Sequence, residues 1–131
     1  MNCKIVKHLG VEDMKHRGKP VLITGASSGL GRELAILFSQ GNYAILSGRN
    51  KIELEETQRQ CKDPANTTII CGDLRNTETI NRLSSFADFY EIRYLICCAG
   101  EYTRGSLWYA TADVRNILLS NATAPIDLIH S

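Results

Sequence analysis

Short apolar runs alternate with helix-like repeats over most of this chain. Between the runs, apolar residues recur at intervals of three and four positions, which is typical of amphipathic helices. Strands that alternate with helices indicate βαβ units and a parallel sheet. Four such units with right-handed crossovers predict an α/β fold, a Rossmann-type doubly wound sheet in the spatial order 3-2-1-4. The predicted strands are Val21 to Thr24, Tyr43 to Ser47, Thr67 to Cys71 and Arg93 to Cys98.

Each predicted helix carries an apolar face that should pack on the sheet. The first helix, about 29–40, is stopped by Gly41, a residue that commonly ends helices. The second begins after Asn50, whose side chain is suited to cap the backbone at Glu53. The predicted inward-facing residues are Leu30, Leu34, Leu37 and Phe38 in the first helix, Leu54, Thr57 and Cys61 in the second, Ile80, Leu83, Ala87 and Tyr90 in the third, and Val114, Ile117, Leu118, Ala122 and Leu128 in the last, which spans about 112–131.

The composition is that of one globular domain. Of the 131 residues, 44% are hydrophobic and 22% are charged, which suits a core of ordinary size. Lysines and arginines number 15 and acidic residues 14, so charge gives no reason to expect nucleic acid or a membrane as a partner. Without a run of ~18 apolar residues or an apolar signal segment, we expect a cytoplasmic protein. Residues 1–18 are predicted to be a polar N-terminal arm rather than a basic recognition segment, and 19–131 the folded domain.

The cysteines and histidines show neither a disulfide pattern nor a metal-binding pattern. Five cysteines make an odd count without CxxC spacing, and the three histidines are scattered. We therefore expect reduced cysteines and no metal site. Cys97 and Cys98 are expected to be small buried hydrophobic residues of the fourth strand.

Three glycines follow the first strand in the stretch Thr-Gly-Ala-Ser-Ser-Gly-Leu-Gly at residues 24–31. A strand, a tight turn and a helix start point backbone N–H groups and the positive end of a helix dipole at one spot, which suits a phosphate. We expect Gly25 to adopt a positive φ, Gly29 to let a pyrophosphate approach the backbone, and Gly31 to let the helix pack close to the strand. The predicted dinucleotide contacts are Gly25, Ser27, Ser28, Gly29, Leu30 and Gly31.

This loop resembles the cofactor loop of the short-chain dehydrogenases/reductases, and the resemblance extends from about Lys19 to Ser131. It implies hydride transfer between a nicotinamide cofactor and a carbonyl or an alcohol. Asp73 and Leu74 are similar to the family's adenine-contacting pair, although an aspartate here also suits a turn or helix start. Ala99 and Gly100 match the small residues beneath the cofactor ribose. The family's two preceding asparagines are replaced by Cys97 and Cys98.

The end of the second strand meets the adenosine ribose in such folds. Here it reads Ser-Gly-Arg-Asn at residues 47–50, without an acidic residue. The guanidinium of Arg49 matches a phosphate, so NADP is the predicted cofactor. A solvated loop arginine is the alternative interpretation.

Asn121 matches the helix asparagine of the family's catalytic residues, whose main-chain carbonyl holds a water in the proton relay. Pro125 has no N–H, so the Asn121 carbonyl loses the hydrogen bond that a regular helix would give it. A plain helix kink explains the same proline equally well. In the family, the segment from Glu101 to Tyr109 borders the substrate, and its aromatic residues are compatible with an apolar ligand. A surface aromatic cluster closed over the sheet edge explains the same residues equally well.

The family's catalytic Ser and YxxxK motif have no counterpart in the 131 residues, since none of the five tyrosines has a lysine four positions later. The resemblance therefore implies a sheet truncated after the fourth βα unit. One hypothesis is a truncated NADP(H)-dependent short-chain oxidoreductase that is inactive alone. The other is a non-catalytic NADP-binding or interaction protein. In both, the stretch from Tyr94 to Cys98 becomes an edge without charged residues. This predicts either aggregation or pairing with a partner through that edge and the last helix, and a second copy of the chain is one such partner.

Overall fold

Strands and helices alternate along the chain and form a parallel sheet with helices packed on it. The computed structural model describes residues 18–100 and 111–130, and the side chains of residues 111–114 are excluded from that description. The predicted arm at 1–18, apart from Gly18, and the segment from Glu101 to Tyr109 lie outside the described residues. The elements are β1 (Val21–Thr24), α1 (Gly29–Phe38), β2 (Ala44–Gly48), α2 (Lys51–Gln60), a 3-10 turn (Pro64–Asn66), β3 (Thr67–Cys71), α3 (Thr77–Phe89), β4 (Tyr94–Cys97), α4 (Thr111–Leu118), a π-helical turn (Leu119–Thr123) and α5 (Ala124–His130).

The sheet has the strand order β3-β2-β1-β4, and all three strand pairs are parallel. Val21 of β1 pairs with Ala44 of β2 on one side and with Tyr94 of β4 on the other. Successive residues of a strand point to opposite faces. Both faces of β1 are buried, since Ile23 belongs to one apolar cluster and Leu22 to the other. The predicted Rossmann-type fold and its strand order are confirmed.

Helix α2 forms as its sequence predicts. The Asn50 side chain accepts a hydrogen bond from the Glu53 N–H at 3.2 Å, which satisfies one of the N–H groups left open at a helix start. Leu54, Thr57 and Cys61 are all buried. In α3 the predicted stripe is partly confirmed, with Ile80 and Leu83 buried and Ala87 and Tyr90 half-buried.

The predicted apolar face of α1 is wrong in part. Leu30 and Leu37 are 69% and 59% exposed, whereas Gly31 and Ala35 are buried. The cause is the close approach of α1 to the turn before it: a Cβ on Gly31 would lie 2.0 Å from the Gly25 carbonyl oxygen. Only the smallest side chains fit between a helix and a turn this close, so Leu30 and Leu37 are turned outward, while Leu34 and Phe38 are half-buried.

The predicted face of the last helix is also wrong in part. Leu118, at 57%, and Ala122 are exposed, while Ser120 and Ala124 are buried. Helix α4 passes into a π-helical turn in which the Ala124 N–H donates to the Leu119 carbonyl. A π turn inserts one residue into the helical repeat and shifts the inward face. The predicted position Val114 lies outside the side chains described.

Within the described residues, β4 pairs with β1 and has an uncovered outer edge. It is shorter than predicted, at Tyr94–Cys97, and the side chains of Tyr94 and Cys97 are exposed. The expectation that Cys97 is buried is therefore wrong, because no further strand covers this edge in the described part of the chain. No helix among the described residues has both the length and the apolarity needed to cross a bilayer.

Candidate cofactor-binding site

A cavity of about 600 Å³ opens at the carboxyl ends of the strands. Loops that follow all four strands reach it, which is where ligands bind in open α/β sheets. Ten of the predicted site residues line it, namely Gly25, Ser27, Ser28, Leu30, Gly31, Arg49, Asp73, Leu74, Ala99 and Gly100. The lining also includes Ser47, Gly48, Asn50, Glu53, Gly72, Cys97, Cys98 and Ser120, which were not predicted as ligand contacts.

The glycine-rich turn is packed tightly against its surroundings. Gly25 has a φ of +68°, as predicted, and a Cβ there would lie 2.5 Å from the Ala99 nitrogen. Gly31 packs on the Gly25 carbonyl, also as predicted. The Ala26 N–H donates to the Ser47 carbonyl at 2.9 Å, which ties the turn to the end of β2. The turn therefore has one shape fixed from both sides.

Gly29 faces open space instead. A Cβ added there would meet no atom within 4 Å, and its φ of +53° favours glycine. The side chain of Ser28, the N-cap of α1, makes no capping hydrogen bond, and the first turn of α1 carries no acidic residue. The N–H groups and positive dipole end at this helix start are therefore not neutralised by a local carboxylate, as expected of an anion site.

The positive charge of Arg49, after β2, interacts with the carboxyl group of Asp73, after β3. The Asp73 carboxylate accepts hydrogen bonds from Nε of Arg75, at 3.0 Å to both oxygens. This bonding to Arg75 is the main reason why the pKa of Asp73 lies below its usual value, and the charge of Arg49 acts in the same direction. Asp73 also accepts from the Arg75 N–H at 2.9 Å, so it has the turn role that the sequence left open. Arg75 was missed by sequence reasoning.

The end of β4 is anchored to β1 beside the cavity. The N–H groups of Cys98 and Ala99 donate to the carbonyl and hydroxyl oxygens of Thr24, at 3.1 Å and 3.3 Å. Burial raises the pKa of the Cys98 thiol, which keeps it in the weakly nucleophilic neutral form. Among the described residues, the four cysteines form no disulfide.

Asn121 does not line the cavity but lies next to it. Its Oδ1 would be 3.4 Å from a Cβ on Gly100, so the absent side chain of Gly100 leaves the space in front of the Asn121 amide. The neighbouring residue, Ser120, is buried and reaches the cavity. The π-helical turn thus brings the last helix to the end of β4.

The chemistry of the cavity fits a dinucleotide. Among the residues described, Ser47 Oγ is a buried side-chain oxygen without a hydrogen-bond partner, and Ser47 forms part of the cavity wall. Buried polar groups are usually paired, but Ser47 is fully buried, so a ligand oxygen would reach this hydroxyl only if the cavity wall moved. The open backbone at Gly29 suits a pyrophosphate at the other end of the turn.

Arg32 is a structural partner of the turn that sequence reasoning missed. Its Nη2 lies 2.5 Å from both the Ser27 carbonyl and Glu53 Oε2, and its Nε donates to the Thr57 hydroxyl at 3.0 Å. The Thr57 hydroxyl donates in turn to the Ala26 carbonyl at 2.8 Å. The available signal was a single arginine directly after the third glycine of the loop.

Comparison with known proteins identifies the same fold and family. Residues 19–131 match the family described as short chain dehydrogenase. A 3-oxoacyl-(acyl-carrier-protein) reductase of Rickettsia felis is 40% identical over 84 residues, covering 63% of this chain and 33% of the relative. The 11-beta-hydroxysteroid dehydrogenase-like 2 protein of Arabidopsis thaliana is 38% identical over 106 residues, covering 76% of this chain and 33% of the relative.

Solved structures agree. The bulky-bulky ketone specific alcohol dehydrogenase from Comamonas testosteroni superposes with a TM-score of 0.79 at 25% identity, covering 87% of this chain and 48% of that one. A short-chain dehydrogenase from Sphingobium yanoikuyae in complex with NADPH gives 0.77 at 27% identity, covering 86% and 46%. This chain spans about a third of the length of the curated relatives and about half of the solved chains. Because the family match covers all but the first 18 residues, the chain belongs to the short-chain dehydrogenase/reductase family, whose members are oxidoreductases that bind nicotinamide cofactors.

Proposed function

We propose that this chain is the cofactor-binding part of an NADP(H)-dependent short-chain oxidoreductase. The observation that carries the proposal is the position of Arg49, which follows β2 directly and lines the cavity that the glycine-rich turn also lines. A guanidinium binds phosphate through paired charge-assisted hydrogen bonds. The NADPH-bound relative from Sphingobium yanoikuyae supports the same cofactor class.

Each end of the proposed cofactor has matching groups in the cavity. The turn from Gly25 to Gly31 and the start of α1 would hold the pyrophosphate. Leu74, which is 9% exposed, would cover the adenine, and Asp73 would accept from its exocyclic amine through lone pairs that Arg75 leaves available. Ala99 and Gly100 would lie beneath the nicotinamide ribose.

The proposed reaction is hydride transfer between the nicotinamide and a carbonyl or alcohol. Bound NADPH supplies the hydride. Among the family's catalytic positions, only Asn121 has a match in the 131 residues. Its place beside Gly100, at the end of β4, is close to the proposed ribose site. The groups that polarise the carbonyl and deliver the proton are not among these residues, so we assign the activity to the whole protein and not to this chain alone.

A non-catalytic role in NADP binding or protein interaction is the second candidate. It is favoured by the outer edge of β4, with which no other described strand pairs, and by large apolar side chains exposed in the last helical segment. Leu118 is 57%, Ile126 55% and Ile129 67% exposed. Such surfaces on soluble proteins usually contact a partner. Both candidates use the same cofactor cavity and differ in whether a substrate is turned over.

Calorimetric titration of the chain with NADPH and with NADH tests the cofactor assignment. We expect tighter binding of NADPH, and Arg49→Ala should remove ~1.5–3 kcal/mol of that preference, the value of one charge-assisted contact. Arg93→Ala is the matched control, because Arg93 is exposed just before β4 at the opposite end of the sheet. Equal affinities of the parent chain for the two cofactors would contradict the NADP assignment, and no binding of either would contradict the proposed function.

A further inference from the structure

We propose that Arg32 determines the cofactor preference of this chain by neutralising Glu53, an acid in the wall of the same cavity. The inference rests on the proposed binding of a nicotinamide cofactor and concerns a residue outside the glycine motif and outside the Arg49 position. Arg32 is a positioning residue, since the groups it contacts are Ser27, Glu53 and Thr57.

Glu53 belongs to the wall of the cavity in which the proposed phosphate would bind. It belongs to the first turn of α2, four positions after Arg49, and both residues line the cavity. Its side chain is 48% exposed. An uncompensated carboxylate near the 2′-phosphate of NADPH would repel it. The same carboxylate would accept hydrogen bonds from the free ribose hydroxyls of NADH.

Arg32 neutralises the negative charge of Glu53 by forming an ion pair with it. Its Nη2 lies 2.5 Å from Glu53 Oε2, and its side chain is only 20% exposed. A guanidinium held this way is less screened by water than a surface pair. With Glu53 paired to Arg32, Glu53 adds no uncompensated negative charge to that of Asp73, a carboxyl that the charge of Arg49 also reaches. The absence of an acid directly beside Arg49 is therefore only half of the arrangement that favours NADPH.

Arg32 also supports the glycine-rich turn, which is a separable effect. Its guanidinium donates to the Ser27 carbonyl and, through Nε, to the Thr57 hydroxyl. The Thr57 hydroxyl donates in turn to the Ala26 carbonyl. These bonds fix two consecutive carbonyls of the turn. The turn would contact the pyrophosphate, which NADPH and NADH have in common. Loss of this support should weaken both cofactors equally, whereas loss of neutralisation should weaken NADPH alone.

The experiment measures the ratio of the NADPH and NADH dissociation constants by calorimetry on the 131-residue chain. Arg32→Met should shift this ratio toward NADH by about tenfold or more. The double variant Arg32→Met/Glu53→Gln should restore the parental ratio, because the acid that needs neutralising is gone. Thr57→Val is the matched control for turn support and should weaken both cofactors by the same factor.

Two results would overturn the proposal. One is a ratio unchanged by Arg32→Met while both affinities fall together, which would make Arg32 a support of the turn only. The other is an altered ratio that Glu53→Gln does not restore. If circular dichroism shows that Arg32→Met does not fold, Arg32→Gln replaces it, since glutamine retains a donor for the Ser27 carbonyl but carries no charge. Failure of the parent chain to bind either cofactor would instead reject the proposed function.

Discussion

Gly31 lies against the carbonyl group of Gly25, so close that a Cβ on Gly31 would come within 2.0 Å of that oxygen. The contact sets the distance between α1 and the turn that precedes it. It also decides which side of α1 faces the sheet. The geometry of the predicted phosphate site therefore depends on the absence of one methyl group.

Gly31→Ala should destabilise the chain and abolish cofactor binding. The added methyl group must push α1 away from the turn, and overpacking of this kind costs about 1–3 kcal/mol. Denaturant unfolding followed by circular dichroism measures the loss. Gly41→Ala is a suitable control, because a Cβ there meets no atom within 4 Å and only its φ of +91° is unfavourable. A Gly31→Ala variant that binds NADPH like the parent would contradict the assigned role of this contact.

Stability should fall at alkaline pH through Tyr43. Burial raises the pKa of Tyr43 to about 12, and its hydroxyl is hydrogen-bonded to that of Thr68. An unfolded tyrosine has a pKa of about 10. Because the folded state holds this proton more tightly, its contribution is complete below about pH 10 and is lost as the pH rises toward 12.

The comparison of parent and Tyr43→Phe by urea unfolding at pH 9 and pH 11 checks this prediction. Phenylalanine retains the stacking on Tyr90, whose ring centroid lies 4.9 Å away, and removes the titrating group. We expect a smaller loss of stability between the two pH values in Tyr43→Phe than in the parent. The same loss in both proteins would show that other groups cause the alkaline effect.

The chain should self-associate through β4. Within residues 18–100 and 111–130, no strand pairs with its outer edge, and Tyr94 on this edge is 45% exposed. An exposed strand edge pairs with other chains unless a charged side chain on the edge prevents the pairing. Tyr94→Lys should therefore lower the apparent mass in sedimentation velocity. Ile52→Lys, at a 73% exposed position on α2, is the control and should leave the mass unchanged. A parent chain that sediments as a monomer at all concentrations would disprove this expectation.

The isolated 131-residue chain should not oxidise NADPH with aldehydes or ketones above the buffer blank. Hydride transfer needs a positioned nicotinamide and a group that stabilises the forming alkoxide, and no Ser and YxxxK set is present in these residues. The measurement is NADPH absorbance with a panel of carbonyl substrates. Turnover by purified protein would refute the prediction and would direct attention to Tyr102 or Tyr109 as the proton donor.

Local signals predicted the parts of the fold that depend on near neighbours in sequence. Asn50 and Glu53 are three positions apart, and their capping hydrogen bond forms as expected. The apolar face of α1 could not be predicted in the same way, because it depends on how closely Gly31 approaches Gly25. A rule that turns the largest side chains inward fails where a helix packs this tightly.

The cavity was predicted more completely than its supports. Two glycines of the motif, Gly25 and Gly31, line the cavity together with Arg49 and Asp73, whereas Gly29 does not. All of them carry recognisable chemistry at fixed places after strands. The role of Arg32 rests on contacts with Glu53 and Thr57, which lie 21 and 25 positions away. Arg75 was missed although it is two positions from Asp73, because a charged pair in a loop has no periodic pattern.

The buried hydroxyl of Ser47, which has no hydrogen-bond partner among the described residues, lowers the stability of the protein. An unsatisfied buried donor costs about 1–3 kcal/mol, so Ser47→Ala should raise the melting temperature of the empty chain. If a cofactor oxygen satisfies that hydroxyl, the same substitution should reduce the thermal shift that the cofactor produces. The Ser47 hydroxyl would then lower the stability of the empty chain and increase its affinity for the cofactor, which is a trade-off between stability and binding at one atom.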